Sequence, residues 1–121
     1  MTTMTRVAPE LRVHDLGKAL EYYENKLGFE VVMRMPEGDY AIVERDDVAL
    51  HLFQSEAGHP CSGSAHIFVT DLDTLFAELQ TRQADITQEI VRQPWGNRDF
   101  RVGDSAGNLL KFTEPLNSLS P

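Results

Sequence analysis

Only one cysteine, Cys61, stands in the 121 residues, so no disulfide can form within the chain. A lone thiol agrees with a reducing compartment, and cytoplasmic residence is the expectation. Long apolar runs are missing too. Nothing approaches the roughly 20 residues that cross a bilayer, and residues 1–10 hold no apolar signal core, so no membrane partner is expected. Basic residues are scarce: 11 Lys and Arg stand against 19 Asp and Glu, a net charge of −8. Such a chain is repelled by phosphate backbones, which excludes nucleic acid as the expected partner. The deficit is spread, with 6 basic and 11 acidic residues in 1–60 and 5 and 8 in 61–121. Charge of this kind serves solubility or lines a site for a cationic ligand, and composition does not choose between them.

What is present is ordinary globular material, 41% hydrophobic and 25% charged, enough to fold as a single domain over 1–121. Residues 7–13 alternate as a strand. Asp15 then reads as the N-cap of a helix over 16–27, with Leu16, Ala19, Leu20, Tyr23 and Leu27 on one stripe and Gly28 as the stop. Strands follow at about 29–35, 40–45 and 48–54, separated by Pro36-Glu37-Gly38-Asp39 and Asp46-Asp47. A polar connector without periodicity covers 55–63.

The same grammar then restarts. A strand over 64–69 leads to Asp71 as N-cap, a helix over 72–82 carries Leu72, Leu75, Phe76 and Leu79 on one side, and strands follow near 88–92, 97–103 and 108–114. Val13-His14-Asp15-Leu16 and Thr70-Asp71-Leu72 occupy equivalent places, so the chain is one βαβββ unit written twice, module one over about 7–54 and module two over about 64–114. Two such modules bury one face of each sheet under a helix and leave the other faces curved around a shared space.

Strand alternation identifies what lines that space. Val48, Leu50 and Leu52 suit the helix side, so Ala49, His51 and Phe53 face inward. Counting outward from a two-residue turn at Asp46-Asp47 pairs Arg45 with Val48, Glu44 with Ala49, Ile42 with His51 and Tyr40 with Phe53. Tyr40, Ile42 and Glu44 thereby join the inner face. By parity Ala8, Glu10 and Arg12 face inward on the first strand, as do Ser64, His66 and Phe68 on the fifth and Leu109, Lys111 and Thr113 on the last. Such a lining is too polar for a core and has the composition of a small-molecule site. Trp95, between Pro94 and Gly96, is read either as a packing anchor for its turn or as a wall of the ligand groove. Glu10, Arg12, Tyr40, Glu44, His51, Phe53, His66, Phe68, Trp95 and Lys111 are the candidate ligand-binding residues. Glu10 and Glu44 are a weak acid–base pair, and Cys61 lacks an oriented histidine.

The paired modules, Asp15-Leu16 with Tyr22-Tyr23 and Leu27-Gly28-Phe29, and Asp104-Ser105-Ala106-Gly107-Asn108 together resemble the vicinal oxygen chelate superfamily of glyoxalases, extradiol dioxygenases and bleomycin-resistance proteins. Arg45-Asp46-Asp47-Val48, Gln93-Pro94-Trp95-Gly96 and Arg98-Asp99-Phe100 resemble the bleomycin-resistance branch. The resemblance implies an α+β fold with curved mixed sheets around a cleft, and a homodimer exchanging N-terminal strand segments with Pro9 near the crossing. It also implies metal-ligand positions at Ala8, His51, Ser64 and Lys111, of which only His51 is a credible ligand; His66 is the one further candidate. The expectation is therefore a protein without cofactor that binds a planar or cationic small molecule, bleomycin being the one the resemblance brings, with no bond broken. The alternative is a metal-dependent lyase or dioxygenase using His51 and His66.

Overall fold

Each copy of the unit folds into a four-stranded sheet with one helix across it. The computed structural model describes residues 1–56 and 58–115, so the connector 55–63 is described apart from residue 57, and the end of the chain after 115 lies outside the described residues. Module one runs β1 (Glu10–Val13), α1 (Leu16–Asn25), β2 (Glu30–Arg34), β3 (Tyr40–Arg45) and β4 (Val48–Gln54). Module two repeats it as β5 (Ser64–Phe68), α2 (Leu72–Thr81), β6 (Asp85–Arg92), β7 (Arg98–Gly103) and β8 (Leu109–Glu114). The sheet orders are β1-β4-β3-β2 and β5-β8-β7-β6, with the first strand of each module parallel to its last and the rest antiparallel. This is the mixed-sheet α+β architecture that the repeat implies.

Both helices start by the same device. Asp15 and Asp71 accept from the backbone N–H three residues on, at 3.1 and 3.3 Å, and the first helical N–H is taken by the side chain that ends the sheet, Gln54 for Leu16 and Glu114 for Leu72. The buried stripe is Leu16, Ala19, Leu20 and Tyr23 on α1, packed on Leu11, Val13, Val43, Leu50 and Leu52. On module two Phe76 meets Phe100 edge-on at 5.1 Å, and Phe100 stacks on Phe112 at 5.2 Å.

Two strand starts differ from the sequence reading by three residues, for physical reasons. The first strand begins at Glu10 rather than residue 7, because Pro9 has no N–H for the ladder; its carbonyl still accepts from His51 N at 3.0 Å. β6 begins at Asp85 rather than 88, its first N–H donating to the Tyr22 hydroxyl of α1 at 2.8 Å, a partner 63 residues away.

The modules are joined twice, each time by a helix of one against the β-turn end of the other. On one side Tyr22 Oη donates to the Gly103 carbonyl (2.7 Å) and Tyr23 Oη to Asp104 Oδ2 (2.8 Å). Asp104 also accepts from the N–H groups of Ala106, Gly107 and Asn108, and from Asn108 Nδ2. The Asn108 amide in turn bonds the Arg12 carbonyl and the Gly63 N–H. The Asp-Ser-Ala-Gly-Asn run is thus a clasp between modules, and Gly107 (φ +107°) is required there because a Cβ would stand 3.2 Å from the Cys61 carbonyl. On the other side Arg45 reaches Glu78 Oε1 at 2.7 Å and the Leu27 carbonyl at 2.8 Å, while Arg82 bonds Glu78 Oε2 at 2.8 Å.

Candidate functional site

The hairpin register follows the count from Asp46-Asp47: Arg45 opposes Val48, Glu44 Ala49, Ile42 His51, and Tyr40 Phe53. Asp46 takes φ +52°, a left-handed turn conformation that Asp tolerates. Since Val43, Leu50 and Leu52 are fully buried on the helix side, Tyr40, Glu44, His51 and Phe53 stand on the open side of sheet one. The parallel register sets Glu10 beside His51 and Arg12 beside Phe53.

Three of these side chains form one hydrogen-bonded chain. Tyr40 Oη lies 2.9 Å from Glu10 Oε2 and 2.6 Å from His51 Nδ1. The phenol proton goes to Glu10, so the Tyr40 oxygen accepts from His51 Nδ1–H, and Nε2 takes no part in this chain. Desolvation raises the Tyr40 pKa, and the Glu10 hydrogen bond and charge add to the rise. Beside this chain the Arg12 guanidinium sits 5.6 Å over the Phe53 ring. Glu44 shares the open side, with no side-chain hydrogen bond or ion pair among the described residues.

Sheet two presents a second group. Ile67, Leu110, Phe112, Phe100 and Val102 are buried toward α2, so His66, Phe68, Lys111 and Thr113 stand on its open side. His66 stacks on Phe68 (centroids 6.0 Å, planes 18° apart), and its Nδ1 lies 3.1 Å from Thr113 Oγ1. The ladder puts Lys111 between His66 and Arg101. Asp99 belongs here as well and escaped sequence reading: it is 1% exposed and accepts from Gln88 Nε2 at 2.7 Å and Gln93 Nε2 at 3.0 Å. Among the described residues no hydrogen bond, ion pair or ring contact joins the sheet-one group to the sheet-two group.

Trp95 is 65% exposed on the β6–β7 turn. That turn is closed by the Gly96 N–H to the Gln93 carbonyl and the Gln93 N–H to the Asn97 carbonyl, so the ring is not its packing anchor. Two clefts lie between the modules. One of about 440 Å³ between β4 and β5 is lined by Val7, Pro9, Ala49, His66 and Phe68 among others. The other, of about 490 Å³, runs past Phe29, Arg45, Val48, Phe68 and Glu78. Of the ten candidate residues only His66 and Phe68 reach either cleft; the remainder lie on the open faces or the turn.

The metal positions that the resemblance implies hold few donors. Ala8 has no donor, Lys111 brings an ammonium and Ser64 a neutral hydroxyl, so of the four positions only His51 is left with a good donor, its Nε2. Among the described residues no three His, Cys, Asp or Glu side chains stand close enough to hold an ion together. This donor set does not fit a divalent metal. Burial pushes the Cys61 thiol up, with Asp104 adding to the rise and Arg12 opposing it, so a reactive thiolate is disfavoured. No described helix is long and apolar enough to cross a membrane.

Comparison with known proteins agrees with this geometry. The chain is 27% identical to a bleomycin resistance protein of Geobacillus stearothermophilus, over 95% of this chain and all of that one. It is 29% identical to the bleomycin-binding protein of Streptomyces verticillus, solved with copper(II)-bleomycin, with TM-score 0.80 over 95% of this chain and 99% of that one. A lactoylglutathione lyase from Agrobacterium tumefaciens shares the fold at 20% identity, with TM-score 0.75 over 95% and 97% of the two chains. Residues 3–112 match the profile of the Glyoxalase/Bleomycin resistance protein/Dioxygenase superfamily, a span that covers module one and module two as far as Phe112 in β8, and the chain belongs to this superfamily.

Proposed function

We propose that the protein is a metal-independent binding protein of the bleomycin-resistance type, holding a planar or cationic small molecule without breaking a bond. The observation that carries the reading is the pair of open faces, where aromatic rings stand beside ionised and hydrogen-bonding side chains that a purely structural sheet face would not keep. The names of the curated relatives and the bleomycin complex of the Streptomyces protein support it. A homodimer completes the reading: the sheet-one face of one copy and the sheet-two face of the other wall each cleft, with N-terminal segments exchanged near Pro9. The apolar surface that one chain leaves exposed, Met4, Val7, Phe68, Val91 and Trp95, supports a covering partner or ligand. The lone Cys61 thiol suits a cytoplasmic setting.

Calorimetric titration with bleomycin tests the ligand. Saturable heat is expected, weakened roughly tenfold by Trp95→Ala; no heat at high micromolar ligand removes bleomycin, and unchanged affinity in the variant removes Trp95 from the cleft. Metal analysis of protein purified without chelator tests the rest, since a stoichiometric divalent ion bound through His51 overturns the metal-independent form in favour of a lyase or dioxygenase.

A further inference from the structure

Equivalent rows of the two open faces carry opposite chemistry. On sheet one the row across β1, β4 and β3 is Glu10, His51 and Ile42. On sheet two the row across β5, β8 and β7 is His66, Lys111 and Arg101, each the direct ladder neighbour of the next. Two cations directly opposite on neighbouring strands cost stability, and here they adjoin an imidazole in a chain of net charge −8.

Among the described residues these groups are only partly answered. Among the described residues Lys111 forms no ion pair. Arg101 has only a long ion pair, its Nη2 3.9 Å from Asp99 Oδ2 while the amides of Gln88 and Gln93 hold Oδ1, and the Arg101 Nε is buried with no hydrogen-bond partner among the described residues. His66 has spent Nδ1 on Thr113, leaving Nε2 for another partner. Beside the row lies the His66–Phe68 stack, with Phe68 46% exposed.

We infer that the Arg101–Lys111–His66 row receives the anionic group, carboxylate or phosphate, of a ligand whose ring lies on the Phe68–His66 shelf. Charge-assisted hydrogen bonds from a guanidinium and an ammonium to an oxyanion supply the binding, and the neighbouring rings exclude water from one side. The inference rests on the proposed binding function and takes the planar ligand of that reading to be an aromatic anion or zwitterion with its negative end on sheet two.

The test titrates the full chain with 2-naphthoate, 2-naphthamide, 2-naphthylmethylammonium and inorganic phosphate, in the wild type, Lys111→Gln and Lys111→Arg. Naphthoate is expected to bind about tenfold tighter than the amide; Lys111→Gln erases that difference and Lys111→Arg keeps most of it. Equal affinity for naphthoate and amide, preference for the ammonium, or a naphthoate preference undiminished in Lys111→Gln overturns the anion row. Phosphate binding as tightly as naphthoate overturns the aromatic shelf. Bleomycin binding without anion preference sinks this inference alone, whereas Lys111-dependent anion preference without bleomycin heat sinks only the bleomycin ligand.

Discussion

The two contacts that join the modules occupy equivalent places in the repeat and are built from different chemistry. Where α1 meets the β7–β8 end, Tyr22 and Tyr23 bond Gly103 and Asp104, and Tyr23 is fully buried with Asp104 6% exposed. Where α2 meets the β3–β4 end, Glu78 is clamped by Arg45 and Arg82 with side chains 29–37% exposed. Counted from the N-caps Asp15 and Asp71, Tyr22 corresponds to Glu78 and Tyr23 to Leu79. One architecture therefore tolerates either a dry hydrogen-bond clasp or a wet ion-pair clamp. Stability should depend far more on the dry side, because water does not substitute for a lost partner there.

The sharpest way to break this comparison is Asp104→Ala, which removes five acceptances and strands the buried Tyr23 hydroxyl, the Asn108 amide keeping its bonds to Arg12 and Gly63. A loss of about 3–5 kcal/mol in urea unfolding is expected, and a loss below about 1 kcal/mol would make the two sides equivalent. Tyr23→Phe removes the hydroxyl alone, and about 1–2 kcal/mol is expected. Leu79, equally buried at the matching place, shows that the position itself needs only an apolar body.

Glu78→Gln should cost less than about 1 kcal/mol because its partners are partly solvated. Its sign with pH is fixed by the Arg45 hydrogen bond, which, against burial and with help from Arg82, holds the Glu78 carboxyl below the usual glutamate range. A lowered folded value stabilises above the ordinary carboxylate pKa and is lost as pH falls through the lowered value. The gap between wild type and variant is therefore full at neutral pH and closes in acid, and a gap that widens in acid would contradict the clamp. Added salt should narrow it as well.

Much of module one was legible because its hairpin turn has two residues. Once Asp46-Asp47 is placed, alternation fixes Tyr40 against Phe53 and every side chain between. The same counting could not reach the glutamines that hold Asp99. β6 pairs with β7 through two register shifts, around Gln88, so parity along it is lost, and an aspartate in a strand looks the same in sequence whether it is solvated or held by two glutamines. The Glu10–Tyr40–His51 chain was half legible: its members were assigned to one face, but nothing in their spacing says that one hydroxyl bridges the other two. The clasp was visible only as a motif, since Asp104 and Tyr23 are 81 residues apart and a sequence does not say which helix meets which turn.

Trp95 is the only tryptophan and stands largely in water on its turn, which gives the protein a built-in optical probe with an unusual bias. Its emission in the folded state should already lie close to that of the unfolded chain, so fluorescence will report denaturation poorly. Whatever covers the β6–β7 turn, ligand or second copy, changes the indole's surroundings and will be read directly. The same ring that is nearly silent to folding becomes the sensor of occupancy.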